Sequence, residues 1–328
     1  MMDLTQRLLD WYDKNARQMP WRFKGKAPDP YPVWVSEIML QQTTVATVYD
    51  YFLRWIERFP TLESLANANI EDVLHLWQGL GYYTRAKKMH ECAQVLMRDY
   101  NGQFPQSRQE LLKLPGIGPY TASSICAFAF NLPETVVDGN VMRVIARLYG
   151  ITDEIDKDVI YPLAQKLTSQ KRAADYASAI MDLGATVCKP ASPLCNSCPW
   201  QEACKARALG VTDQIPLIKK PAKRKANGAV FIAYDKDGKV LLTKRDKGLL
   251  SGLDEFFWNI DGQEPPFPAD WHATGKHVHH VFTHIDYTGE IFKAQGVSYK
   301  GLFVRPDELC NYALSTLMKK VLKAVRDK

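Results

Sequence analysis

Glu37 and Asp138 are the two acids of this chain whose surroundings point to chemistry. Glu37 sits in Tyr31-Pro32-Val33-Trp34-Val35-Ser36-Glu37-Ile38-Met39-Leu40-Gln41-Gln42-Thr43, among apolar residues. A carboxyl stripped of water there titrates upward and keeps its proton near neutral pH, as a general acid requires. Most helical glutamates instead face solvent. Here Ile38 and Met39 follow at once and Gln41-Gln42 lie one turn on, so the helix is expected to end at a pocket. Asp138 stands in Val137-Asp138-Gly139-Asn140, a Gly-containing loop ahead of an apolar-periodic helix. An Asp so placed is either a helix cap or a catalyst.

The elements that must position these acids begin with Leu114-Pro115-Gly116-Ile117-Gly118-Pro119-Tyr120-Thr121-Ala122. Gly116 and Gly118 mark a tight hairpin between two helices. Ser107 and Glu110 read as the capping box of the incoming helix, and the outgoing one ends before Pro133. Glycine tolerates positive φ and lets backbone approach a ligand closely. Free N–H groups at the start of the second helix then suit a phosphate. Gly-x-Gly alone is common in loops that bind nothing. With Asp138 about twenty residues on, the pattern predicts a grip on a nucleic-acid backbone with chemistry beside it.

Cys188, Cys195, Cys198 and Cys204 follow the spacing C-x6-C-x2-C-x5-C. Four cysteines so close in a chain expected to be intracellular read as one metal site. Zinc sites usually pair two short C-x-x-C units, and the asymmetric spacing suits an iron–sulfur cubane at least as well. Lys189, Lys205 and Arg207 beside them are placed to meet phosphates. Cys92, Cys126 and Cys310 fit no metal spacing and are expected to be small buried hydrophobes.

Two further clusters carry aromatic and basic residues together. In Arg17 to Arg22, Trp21 and Arg22 can stack on a base and bind its edge, or Trp21 can anchor the first helix to the core. Trp77-Gln78-Gly79-Leu80-Gly81-Tyr82-Tyr83-Thr84-Arg85-Ala86 is a glycine-bracketed turn entering a basic helix. One of its tyrosines can wedge into a base stack, and the other is expected in the core.

A length of 328 residues implies two domains, and 46% apolar with 24% charged residues implies a globular chain. The net charge of +6 favours an anionic partner. No signal-peptide core or membrane-length apolar run occurs, so a soluble, cytoplasmic protein is expected. Residues 1–207 read as helix after helix and 208–227 as a basic linker containing Lys219-Lys220-Pro221. Residues 228–328 read as a small α+β domain. Its expected parts are a hairpin (229–234 with 239–243), strands around 279–304 and a closing helix over 313–326. His277, His279, His280 and His284 have no carboxylate or Cys close by, so no metal is expected there.

The hairpin string and Val137 to Asn140 resemble the helix-hairpin-helix DNA glycosylase superfamily that includes endonuclease III. The cysteine spacing matches that group's four-iron, four-sulfur loop. Nearly the whole chain is similar to MutY-type adenine DNA glycosylases. The match rests on Pro20-Trp21-Arg22, Trp34 through Thr43, Gly79 to Tyr83, the hairpin, Asp138-Gly139-Asn140 and the cysteines. In the C-terminal part it rests on Gly248 to Leu253 and Phe282-Thr283-His284.

The resemblance implies a mainly α helix-hairpin-helix glycosylase domain with an iron–sulfur loop, then a smaller α+β Nudix-like lesion-recognition domain. No Nudix catalytic box is present, so that domain is not expected to hydrolyse pyrophosphates. The implied activity is monofunctional removal of adenine mispaired with 8-oxoguanine or guanine in duplex DNA, by a monomer working at the bacterial nucleoid. By the same resemblance Glu37 is the acid and Asp138 stabilises the sugar cation, with Tyr120 and Asn140 positioning them. Arg17, Trp21 and Arg22 line the adenine pocket. Gln42, Leu80 and Tyr82 meet the DNA around the opposing base, which Thr283 checks with Phe282 and His284 beside it. Cys188, Cys195, Cys198 and Cys204 hold the 4Fe-4S cluster. Three positions depart from the family pattern: Ser178 (usually Gln or Glu), Asp254 (usually aromatic or Met-Trp) and Thr44 (usually longer and polar). A glycosylase/lyase of the endonuclease III type needs a lysine where this chain has Tyr120. A non-catalytic iron–sulfur DNA-binding protein has no reason to pair Glu37 with Asp138.

Overall fold

The structure, a computed structural model, describes residues 3–22, 28–217, 222–245 and 248–326. Lys219, Lys220 and Pro221 of the basic run lie outside the described residues. The chain divides into two compact units, residues 1–67 with 91–220 and residues 68–90 with 221–328.

The first unit is helical: α1 (Leu4–Asn15), α2 (Pro30–Leu40), α3 (Val45–Arg58) and α4 (Leu62–Ala66) precede the excursion into the second. There the chain forms α5 (Ile70–Leu76) and begins α6 (Thr84–Asp99). It continues as α7 (Arg108–Leu111), α8 (Pro119–Phe130), α9 (Gly139–Tyr149), α10 (Lys157–Gln165), α11 (Ala173–Thr186) and α12 (Lys205–Ala208). Side chains of Asp3, Asp29, Thr44, Asp138 and Asp156 accept from backbone N–H groups that open five of these helices, satisfying donors that have no helical partner. Asn131 and Gly150, both left-handed, end α8 and α9. The expected capping box at α7 is not formed. Ser107 makes no cap bond, and Glu110 pairs with Lys113 at 2.6 Å, because α7 is a single turn.

α11 packs against α1, α8 and α9, and α2 lies between α3 and α8. Leu8, Ile145, Ile180 and Leu183 meet in this core with at most 1% exposure. Each such side chain contributes about 1.5–3 kcal/mol by burial. α2 and α8 are apolar on every side and so are buried on every side, which matters for the polar groups they carry.

In the second unit, β1 (Arg224–Ala233), β2 (Val240–Lys244), β3 (Asp254–Glu255), β4 (Phe257–Asn259), β5 (His272–Val281), β6 (Ile285–Ala294), β7 (Leu302–Val304) and α13 (Thr316–Arg326) follow in order. One sheet runs β4-β1-β6-β5 and the other β3-β2-β7. The expected β1–β2 hairpin is not built. Asp235 does close its turn, accepting from Lys239 N–H with its side chain at 2.8 Å, but only Tyr234 bridges to Val240. β1 pairs instead with β6, in parallel from Arg224↔Ile285 to Ala233↔Ala294, and β2 goes to the other sheet. Gly228 to Ala233 are buried on both faces, as suits a central strand rather than half of an exposed hairpin. Cys92 and Cys126 are buried as expected, whereas Cys310 is exposed.

Candidate active site

Glu37 rides on α2 with 7% of its surface exposed. Burial pushes its carboxyl up to about 7; hydrogen bonds with Ser124 and Tyr120 oppose the shift and the Asp138 charge adds to it. Tyr120, the second residue of α8, donates its hydroxyl to Glu37 Oε2 at 3.2 Å. Burial, then Glu37 and Asp138, raise the phenol well above its usual range, so it stays a neutral donor. Gln41 Nε2 donates to Thr121 Oγ1 at 3.2 Å, tying the end of α2 to the same turn of α8.

Asp138 caps α9: Oδ1 accepts from Val141 N–H at 2.8 Å, and Oδ2 from Asn140 Nδ2 at 3.0 Å. Cap and catalyst, the alternatives for this residue, are therefore compatible: one oxygen is used by the helix and the half-buried group still faces the cavity. Asn140 Oδ1 accepts in turn from Arg143, whose guanidinium also donates to Gly184 O and Cys188 O at 2.7 and 2.8 Å. A Cβ on Gly184 would fall 2.7 Å from that of Asn140, so only glycine lets α11 approach here.

Glu37, Tyr120, Asp138 and Asn140 line one cavity of about 1660 Å³ in the first unit, together with Arg17, Trp21, Arg22, Gln42, Gly116 and Gly118. Gly116 has the expected positive φ of 74°, but Gly118 is extended (φ −92°) and its role is to precede Pro119 at the helix start. Trp21 both lines the cavity and packs edge-on against Phe52, ring centres 5.3 Å apart. Arg17 and Arg22 converge on Asp182, which the sequence reading missed. Arg17 Nε lies 2.5 Å from Oδ1, and Arg22 spans both oxygens at 2.6 and 3.0 Å. Asp182 is fully buried in α11 between Met181 and Leu183, the same signature of an acid in an apolar helix that singled out Glu37. Ser178, one turn earlier, lies beside the Tyr12 phenol, whose pKa burial raises and Ser178 helps to lower.

The remaining candidates lie in the second unit. Tyr82 and Thr283 are exposed and their hydroxyls are 2.5 Å apart. Leu80 is buried, and its carbonyl accepts from Arg85 at 3.2 Å. Phe282 stacks on Trp258 (ring centres 5.9 Å), and His284 is exposed with its carbonyl taking Arg224 N–H at 2.9 Å.

Cys188, Cys198 and Cys204 back onto the core of the first unit. Burial pushes the Cys198 thiol up to about 12, and Cys188, Cys204 and Cys195 add to that shift. Buried Arg147 shapes the loop, donating to Lys189 O and Pro190 O at 2.6 and 2.9 Å and to Cys188 Sγ at 3.4 Å. Among the described residues no three potential ligands gather closely enough for a single ion. A four-sulfur loop with a cationic neighbour fits the cluster.

Residues 35–170 match the model of the HhH-GPD superfamily base excision DNA repair proteins, and residues 229–324 match the NUDIX domain. A mouse adenine DNA glycosylase is 33% identical over 98% of this chain and 77% of its own length. The chain belongs to the adenine DNA glycosylase family. Rat and human adenine DNA glycosylases are 45% and 43% identical over 61% and 63% of this chain, which spans about two fifths of their length (41% and 40%). Among solved structures, a thermostable thymine-DNA glycosylase superposes with a TM-score of 0.57 at 27% identity, covering 62% of this chain and 95% of the other. An endonuclease III–DNA complex (TM-score 0.53, 24% identity, 64% and 99%) shares the fold of the helical unit. Among the described residues, this adenine DNA glycosylase family member has no helix long and apolar enough to cross a membrane.

Proposed function

We propose that this chain removes adenine mispaired with 8-oxoguanine or guanine from duplex DNA, hydrolysing the N-glycosidic bond without cutting the strand. The observation that carries this is Glu37 and Asp138 lining one cavity in unlike surroundings. Glu37 is buried with its proton held up to about 7, while Asp138 is half-buried and held by N–H donors. Two carboxyls in unlike environments divide acid from charge stabiliser.

The flipped nucleotide enters the cavity. Arg17, Trp21 and Arg22 hold the base, and Glu37 gives its proton to a ring nitrogen. The C–N bond then breaks with its electron pair leaving on adenine. The Asp138 carboxylate stabilises the sugar oxocarbenium ion, covalently or through space. Glu37, now ionised, takes a proton from the attacking water. Tyr120 keeps Glu37 oriented and Asn140 keeps Asp138 oriented. Gly116 and Gly118 present backbone to a phosphate, and Gln42, Tyr82 and Thr283 meet the opposing base. Lyase chemistry needs an amine, and the phenol of Tyr120 supplies none.

Cys188, Cys195, Cys198 and Cys204 are the residues that would hold a 4Fe-4S cluster. When bound, it cross-links the loop and fixes the backbone that Arg143 grips. Purified chain is expected to carry about four irons and four acid-labile sulfides; zinc in their place would reject the cluster.

Single-turnover assays on duplexes with adenine opposite 8-oxoguanine, guanine and thymine test the function. Excision is expected for the first two and not the third, with strand breaks only after alkali. Glu37→Gln is expected to bind duplex and excise nothing; excision at the wild-type rate would overturn the mechanism.

A further inference from the structure

The turn that carries Tyr82 is strained, and within the second unit it is fastened by contacts that no motif announces. Gly79, Gly81 and Tyr82 all have positive φ (107°, 72° and 48°), a region that a tyrosine rarely occupies. Just before the turn, Gln78 uses its side-chain amide twice, donating to Leu314 O at 2.7 Å and Tyr312 O at 3.2 Å. Around it, His75 Nε2 lies 3.2 Å from Cys310 O, Lys244 pairs with Glu71 at 3.0 Å, and Lys87 lies over Gly252.

The 312–314 segment is itself held from behind. Asp254 Oδ2 accepts from Ala313 N–H at 3.1 Å, and Asp254 bridges in parallel to Leu314. Asp254 is 9% exposed. A buried carboxylate is tolerated only with partners, and Ala313 N–H with Lys244, 3.9 Å away, supplies them. Asp254 and Gln78 thus grip the same three residues from opposite sides, one by N–H and one by carbonyls.

We propose that Gln78 is a positioning residue for opposite-base recognition. By latching the Gly79–Tyr82 turn to 312–314, it keeps the Tyr82 hydroxyl against Thr283, so that the two read the opposing base as one element. This rests on the function proposed above. It places the specificity device in the backing of the turn rather than in the residues that touch DNA.

The experiment is single-turnover excision by the full chain on adenine opposite 8-oxoguanine and opposite guanine, with hydrogen exchange on the same samples. Gln78→Ala is expected to lower the preference for 8-oxoguanine about tenfold, the worth of one to two hydrogen bonds, leaving the guanine-paired rate in place. Gln78→Glu, which cannot donate, should match it, and Gln78→Lys, which restores a donor, should recover most of the preference. Exchange at residues 79–83 and 312–316 should rise together in Gln78→Ala. An unchanged preference in Gln78→Ala, or both rates falling equally, overturns the latch. So does exchange that rises at one segment alone. A wild-type chain inert on both duplexes overturns the function instead.

Discussion

Tyr120 and Glu37, 83 residues apart in the chain, are joined by one hydrogen bond in which the phenol donates at 3.2 Å. That bond favours the ionised carboxylate, so it holds the Glu37 pKa below where burial alone would put it. Tyr120→Phe should therefore move the alkaline limb of the excision rate upward, by roughly one pH unit. Single-turnover rates from pH 5 to 9 read the shift; a limb that moves downward rejects the donor role.

Glu37 links pH to both activity and stability. Excision should hold below about 7 and fall above it, as the acid loses its proton. The folded value lies above the ordinary carboxylate value of 4.5, so the folded chain binds this proton more tightly than the unfolded one. Stability from this group is complete below 4.5 and is lost as pH rises through about 7. Glu37→Gln removes the titration. At pH 8 it should be more stable than wild type by about 3 kcal/mol, with the gap closing toward pH 5. Urea denaturation at both pH values measures it.

Asp138 caps α9 and is proposed to stabilise the sugar cation, and two substitutions separate the roles. Asparagine caps helices as well as aspartate, so Asp138→Asn should stay within about 1 kcal/mol of wild-type stability yet lose excision. Asp138→Ala should lose excision and about 1 kcal/mol more. Excision surviving in the asparagine variant would reduce Asp138 to a cap.

Asp182 answers two guanidinium groups while fully buried. Asp182→Ala leaves both unpaired in a half-buried site and should cost about 3–5 kcal/mol in chemical denaturation. A loss under 1 kcal/mol would show that the arginines find other partners.

The burial of Glu37 and the left-handed turn at Gly116 were legible because each breaks a local rule: an acid in an apolar run, glycine where a helix would continue. Asp182 breaks the first of these as plainly, but its partners Arg17 and Arg22 lie 165 and 160 residues away and nothing local names them. The same limit hid the β1–β6 pairing and the Gln78 latch, since a run of alternating residues carries no record of its neighbour. The α7 capping box failed for another reason. Its residue types were right, but one turn of helix is too short to hold the geometry.

The convergence of Arg17 and Arg22 on Asp182 also shapes the wall they form. One buried carboxylate accepts from both guanidinium groups, so two side chains with many rotamers are each held in one pose. That wall is set before any guest arrives, and a guest is spared the cost of ordering it.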